Sequence, residues 1–338
     1  MMKQKKTFSP VKTLLCLALA TVLLLAGTCV PAFGESGEGR YTFNPHLYVS
    51  LIAQDVPQEY WDAFHSLCDA LRAGEAEFAC SSEEAYRWAM DVSTWAELFP
   101  AACTKIKQAE RNEPVPWQNG VGRIVYRMPA DEFATRQAAF EAKVEEVLNT
   151  VLEPDDSAFE KCLKLYHYIC EHYTYNYDFQ ETMPDGANYL AILEGKGQCI
   201  QLGSVYAYFL LQAGVEAVQV GCTNPQIAHA WTYFVIDGKG YHSDPTWALY
   251  SPEDGQELCL YYFLMSDSRR EDSGCAVDDL TSPLLPRYWS KLSASKFIAG
   301  EDGLAFPAVS FFLRLDEADR TVVYSVEGEE QVLRYAGE

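Results

Sequence analysis

The chain is predicted to adopt an α+β fold in which one helix packs on an antiparallel sheet, with a smaller, mainly helical domain ahead of it. Three observations predict this. After Cys199 the apolar residues Leu202, Val205, Tyr206, Phe209, Leu210 and Ala213 recur with helical spacing as far as Gly214, a C-terminal stop. Runs over 215–220 and 230–236 are rich in β-branched and aromatic residues, and the second leads into the turn Asp237-Gly238-Lys239-Gly240. Before residue 153 most apolar residues step by threes and fours.

The first 34 residues stand apart. Lys3, Lys5, Lys6 and Lys12 precede or flank an apolar run over 14–26, and Ala32-Phe33-Gly34 fits a cleavage site, the layout of a signal peptide. Gly27, Thr28 and Pro31 interrupt the run short of the about 20 apolar residues that a membrane span needs. Thr28 directly before Cys29 is a poor lipid-attachment context. A cleaved leader is therefore expected, leaving a secreted or cell-surface chain with no membrane segment.

Residues 35–57 are punctuated by Gly and Pro and read as a lead-in. Trp61, Phe64, Cys68 and Leu71 share a helical face before Gly74. Ser81 with Glu84 makes a capping box for one helix bearing Ala85, Trp88, Ala89, Val92 and Trp95, closed by Pro100. Asn119-Gly120 marks a turn and 121–128 alternates as a strand. Phe133, Gln137, Phe140, Val144, Val147, Leu148 and Val151 then trace a long helix that Pro154 ends. The domain boundary is placed near Glu153, dividing a helical domain over 35–153 from a second domain over 154–270, with a β-rich extension over 271–338.

The second domain opens with a capping box, Ser157 and Glu160, and a helix whose inner face is Phe159, Cys162, Leu163, Tyr166, Ile169 and Cys170. Tyr173, Tyr175 and Tyr177 alternate, as a strand face or a groove wall would, and Pro184-Asp185-Gly186 turns the chain. Residues 261–264 read as a strand leading into a polar loop, Ser266-Asp267-Ser268. Runs over 308–315, 321–326 and 331–335 predict a closing β-meander.

Residues 195–247 hold the candidate chemistry. A cysteine is nucleophilic as thiolate, which a helix N-terminus and a neighbouring base or cation both favour. Cys199 falls at the start of its helix, after a Gly195-Lys196-Gly197 loop able to turn backbone N–H groups toward a carbonyl. His229 opens one strand of the predicted hairpin and Asp244 ends the other, so both lie at one end of an antiparallel pair, as a base and its orienting group require. His242 competes with His229, but is two residues from Asp244 on the same strand and is assigned a supporting or surface role. Gln198 is a candidate oxyanion donor beside the Cys199 N–H, and Trp231 and Trp247 are candidates for the core or the groove floor.

At G-x-C opening a helix, then H-A-W, then D-P-T-W, the chain resembles the transglutaminase-like superfamily, which shares a papain-like cysteine fold. The resemblance covers about residues 155–270. It implies that Cys199 is the nucleophile, His229 the general base and acid, and Asp244 the residue that orients the imidazole. Members include protein-crosslinking transamidases, cysteine peptidases and related amide hydrolases, so the resemblance leaves the substrate open. The short helical unit ahead of the triad is similar to what secreted bacterial relatives carry. Many bacterial relatives have Gly and Tyr two and three residues past the cysteine, where this chain has Gln201 and Leu202.

Composition narrows the partners. The formal charge is −22, and a leader with four lysines and no acidic residue takes the mature chain to −26. Such a surface repels nucleic acid and anionic lipid. Nine cysteines remain after residue 34, an odd number that permits four bridges and one free nucleophile; there is no C-x-x-C pair and no D-x-D-x-D-G loop, so no metal or other cofactor is expected. Protein or peptide amides, cell-wall peptides among them, are the expected substrates. The alternatives are a non-catalytic module that grips peptides or the cell wall with aromatics such as Tyr173, Tyr175 and Trp231, and zinc-dependent hydrolysis through Cys199, His229 and His242.

Overall fold

The computed structural model describes residues 40–335 apart from 104, 111, 179–186, 225–226, 276, 278–279 and 286–296. The predicted leader and the Pro184-Asp185-Gly186 turn lie outside the described residues.

The first helices follow the apolar spacing, with one difference. Helix α1 (Gln58–Ala73) buries Trp61, Phe64, Cys68 and Leu71 as expected and ends at Gly74, whose φ of 69° suits a residue without Cβ. The single helix expected after Ser81 is two, α2 (Glu83–Ala89) and α3 (Val92–Leu98). The cap is Ser82, whose side chain accepts from Ala85 N–H at 3.1 Å, while the Ser81 hydroxyl donates to Glu59. Asp91 interrupts the run because its carboxylate accepts from Ser93 N–H at 2.8 Å, offering the backbone a fresh N-terminus in place of continuation. Strand β1 (Glu77–Ala79) joins a hairpin of β2 (Trp117–Gln118) and β3 (Val121–Arg123) in a small sheet of order β1-β3-β2. Both residues of the Asn119-Gly120 turn have positive φ, the geometry of a two-residue hairpin. The strand stops at Arg123, short of the expected 128.

Helices α4 (Ala130–Val151) and α5 (Ala158–His172) match their predicted faces, and the Ser157–Glu160 capping box forms in both directions. Tyr173, Tyr175 and Tyr177 do not share a face: Tyr173 is 4% exposed, Tyr175 half-buried and Tyr177 81% exposed. Strand β4 (Thr174–Tyr175) runs parallel to β5 (Lys196–Gly197), which follows α6 (Ala187–Glu194) and delivers the chain to α7 (Cys199–Gln212).

Helix α7 is the axis of the fold. Apolar spacing suggests one buried stripe, yet every residue from Gln201 to Gln212 is buried. One side of the helix lies on the sheet while α3, α5 and α6 pack around the rest. The helix ends in a Schellman motif, with Val215 N–H bonded to Leu210 O at 2.8 Å, Gly214 N–H to Leu211 O at 3.1 Å, and Gly214 at φ 81°.

The sheet is antiparallel, in the order β8-β7-β6-β9, from β6 (Ala217–Asn224), β7 (Ile227–Ile236), β8 (Lys239–Ser243) and β9 (Leu280–Thr281). Asp237 and Gly238 form the β7–β8 turn, both at positive φ. The expected strand at 261–264 is instead irregular, touching the sheet through a His242–Met265 bridge. The expected loop Ser266-Asp267-Ser268 begins helix α8 (Asp267–Asp272), capped by the Ser266 hydroxyl. A meander of β10 (Ser310–Asp316), β11 (Thr321–Val326) and β12 (Glu329–Arg334) closes the chain as predicted. Buried apolar residues from Phe43 to Tyr335 form one contiguous cluster, so the N-terminal elements pack on the later ones.

Candidate active site

Helix α7 and the β7–β8 hairpin meet where the candidate residues lie. At Gly203 they approach so closely that a Cβ would sit 3.1 Å from the Trp231 Cα, and the Thr232 hydroxyl donates to Gly203 O at 2.8 Å. This contact sets the start of α7 against the start of β7. Cys199 is the first residue of the helix, where backbone N–H groups have no helical acceptor.

His229 is the third residue of β7, and Asp244 follows the last residue of β8, capping a short 3₁₀ turn (Pro245–Ala248). Their side chains meet: His229 Nε2 lies 2.6 Å from Asp244 Oδ2. With Nε2 committed to Asp244, the other ring nitrogen is the one His229 has left for Cys199, whose charge also acts on the imidazole. Burial by itself would lower the His229 pKa, but the Asp244 charge and hydrogen bond, then those of Cys199, outweigh it and raise the value to about 9. Asp244 is wholly buried, which works to raise its pKa, yet the His229 charge and hydrogen bond, then those of Arg270, hold it below the ordinary carboxylate range.

Two groups the sequence did not reveal complete the Asp244 environment. Thr246 N–H donates to Oδ1 at 3.1 Å, and Arg270 Nη1 donates to Oδ2 at 2.8 Å. Arg270 has no exposed surface; its guanidinium lies 4.5 Å from the Trp231 ring centroid and 4.6 Å from that of Trp247. Trp247 also stacks on His229, with centroids 4.6 Å apart and planes at 14°. Both tryptophans thus form part of the site, Trp231 from the core and Trp247 partly exposed. An N-cap reading of Ser266 could have found α8, but nothing in the spacing marks Arg270 rather than Arg269 as the inward residue.

His242 has no surface role, as it is wholly buried. Trp231 Nε1–H donates to His242 Nδ1 at 2.9 Å, so the His242 proton sits on Nε2, which faces Asp267 Oδ1 at 3.0 Å. Burial pushes this imidazole down, against Asp267. The histidine fixes the Trp231 indole and does not face Cys199. Among the described residues no group of three or more His, Cys, Asp or Glu is placed to hold a metal ion.

Gln198 is buried, and its side-chain amide donates to Asn176 O at 3.3 Å. Gln201 accepts from Gln198 N–H at 2.9 Å and packs where a Cβ on Gly197 would stand. Its difference from the common pattern is therefore a helix cap, and Leu202 is buried with no exposed surface. Burial and then the Cys199 charge push the Tyr175 phenol up, and its ring lies 4.9 Å from that of Tyr177.

The class this fold defines is an α+β protein with a transglutaminase-like core. Residues 145–245, which include Cys199, His229 and Asp244, match the family model of the transglutaminase-like superfamily. No curated protein matches the chain. Among solved structures it is similar to a cysteine-protease candidate from Cytophaga hutchinsonii, at 16% identity and a TM-score of 0.27 over 32% of this chain and 37% of that one. It is also similar to a TGase, at 19% identity and a TM-score of 0.28 over 33% of this chain and 32% of that one. The chain thus spans about a third of the length of the structures it matches.

Proposed function

We propose that the protein is a cysteine-dependent amide hydrolase or acyl transferase, acting outside the cytoplasm on protein or peptide amides. The observation that carries this reading is the buried His229–Asp244 pair at one end of the hairpin, against which the close approach at Gly203 sets the helix that Cys199 begins. The Cys199 sulfur attacks a carboxamide carbon as thiolate, its proton already held on His229. The resulting oxyanion faces the Cys199 N–H and the Gln198 amide. Collapse forms a thioester as His229 returns the proton to the departing amine. Water then gives hydrolysis, and a lysine amine gives crosslinking; in each case the incoming nucleophile passes its proton through His229 to the released thiol.

Asp244, locked by Arg270 and Thr246 N–H, holds His229 in one orientation and offsets its positive charge. The Tyr175–Tyr177 pair and the edge-to-face pair Trp247–Tyr262, with centroids 5.5 Å apart, offer aromatic surface for an extended peptide. The charge of −22 favours basic or amine-bearing peptides over acidic ones.

Limited iodoacetamide treatment followed by peptide mapping tests the reading. Cys199 is expected to be alkylated ahead of the buried Cys68, Cys162 and Cys170, whose thiols burial pushes well up. Alkylation should abolish release of amines from a panel of peptide amides. Ordinary reactivity at Cys199, together with unchanged peptide binding and no turnover in the native chain and Cys199→Ala alike, would identify a binding module instead.

A further inference from the structure

A closed ring of contacts ties the buried imidazole of His242 to the pair that holds His229. His242 Nδ1 accepts from Trp231 Nε1–H at 2.9 Å, and its Nε2–H donates to Asp267 Oδ1 at 3.0 Å. The Trp231 ring lies 4.5 Å from the Arg270 guanidinium, which donates to Asp244 Oδ2 at 2.8 Å. Asp267 and Arg270 stand three residues apart on α8, so they share one helix face and close the ring. Trp231, His242 and Arg270 have no exposed surface. Asp267 is itself fixed: Oδ1 accepts from Ala299 N–H at 3.1 Å, and its own N–H donates to Ala299 O at 2.8 Å.

We propose that His242 is a positioning residue for the chemistry at Cys199 and His229, acting through the Trp231 indole on Arg270 and Asp244; this rests on the thiol reading above. An indole has two broad settings about its second side-chain torsion. A buried N–H left without an acceptor is costly, so the bond to Nδ1 selects one of them. In that setting the ring meets the guanidinium and lies close to parallel with the His229 imidazole, centroids 6.1 Å apart and planes at 22°. The selection needs a neutral imidazole with its proton on Nε2, because a second N–H in place of the Nδ1 lone pair would confront the indole donor. Asp267 meets that condition by accepting from Nε2–H.

This role is separable from that of filling the interior. The His242 backbone is held by Met265, donating to its carbonyl at 2.9 Å and accepting from its N–H at 2.7 Å, bonds that other residues at this position can make. What the side chain adds is the acceptor at Nδ1 and the donor at Nε2. Asparagine carries a side-chain oxygen close to the Nδ1 position, and glutamine a polar group close to Nε2, so the two amides divide the two bonds between them.

The test compares the full wild-type chain with His242→Asn, His242→Gln and Trp231→Phe, each labelled with nitrogen-15 in histidine and tryptophan. Three quantities are read: the Trp231 indole N–H resonance, the resonance of the His229 proton shared with Asp244, and the rate at which iodoacetamide alkylates Cys199. His242→Gln should shift the indole resonance, broaden or remove the His229 signal and slow alkylation about 10-fold, short of the about 100-fold that a misplacement of about 1 Å at the reacting groups costs. His242→Asn should restore the His229 signal and most of the rate, although it gives up the Asp267 bond. Trp231→Phe deletes the same hydrogen bond from its other end and should match His242→Gln, so the bond is tested even where a His242 variant does not fold; combining the two should add nothing. Losses that follow Tm, with His242→Gln the milder of the pair, would mark His242 as structural and overturn the proposal, as would an unchanged His229 signal and rate in His242→Gln or Trp231→Phe. The His229 resonance is read without substrate, so it decides the proposal even where the native chain releases no amine from peptide amides, the outcome that removes the proposed function.

Discussion

Arg270 and Asp244 form a wholly buried ion pair, Nη1 to Oδ2 at 2.8 Å, with the guanidinium between the Trp231 and Trp247 rings. Taking both charges from water is costly, and the pair is held by the Thr246 N–H, His229 and Cys275 bonds around it. Its effect is to keep Asp244 ionised and immobile behind His229.

Arg270→Met should therefore remove about 3–5 kcal/mol of folding stability, because Asp244 is left buried with one cation fewer. Arg270→Lys should recover part of it, since one ammonium reaches the carboxylate but does not stack in the tryptophan slot. Urea unfolding of the three proteins measures this; wild-type stability in Arg270→Met would show that the pair contributes nothing.

The pH dependence follows from the His229–Asp244 pair. Because folding raises His229 from 6.5 to about 9, its share of the stability is complete below about 6.5 and is lost as pH rises to about 9. Asp244, lowered from 3.8, adds stability above 3.8 that is lost as pH falls through its folded value. Amide turnover that uses protonated His229 should hold to about pH 9 and fall beyond it. In Asp244→Asn that alkaline limb should move toward neutrality, as the largest raising influence is gone; a limb that stays in place assigns it to another group.

A second buried carboxyl lies on the far side of α7. Glu97 on α3 accepts from the Ser204 hydroxyl at 2.6 Å, and burial raises it from 4.5 to about 7 against bonds from Ser204 and Asn188. Stability is complete below about 4.5 and is lost as pH rises through 7, since the folded state resists ionisation. Glu97→Gln keeps the shape without the charge and should stabilise by about 1–3 kcal/mol at pH 8 while gaining little at pH 5. Thermal unfolding at the two pH values decides it, and equal effects at both would discount ionisation as the cause.

Gly203→Ala places a methyl 3.1 Å from the Trp231 backbone, which has no side-chain freedom to yield. A loss of about 1–3 kcal/mol is expected, with slower Cys199 alkylation as α7 shifts from the sheet. Unchanged stability and alkylation would mean that the helix–strand approach has slack.

The order Cys199, His229, Asp244 and its supports were legible because each rests on local signals: a periodic run ended by Gly214, an Asp237-Gly238 turn that sets the hairpin register, and residues at element ends. The capping box at Ser157 and the closing meander were legible for the same reason. Less visible were features decided by what approaches from elsewhere. Asp91 divides α2 from α3 through its own side-chain bond. Gln201 caps its helix rather than lining a groove. His242 was open to a supporting or a surface role, and its bonds with Trp231 and Asp267 make it the former.

By itself the sequence determined the elements and the chemical identities set at their ends, because period, turn residues and caps act within a few residues. Tertiary structure alone decided that Arg270, and not Arg269, turns inward. A guanidinium is buried only where a carboxylate and flat rings are already arranged to receive it, and Asp244, Trp231 and Trp247 come from chain 20 to 40 residues away.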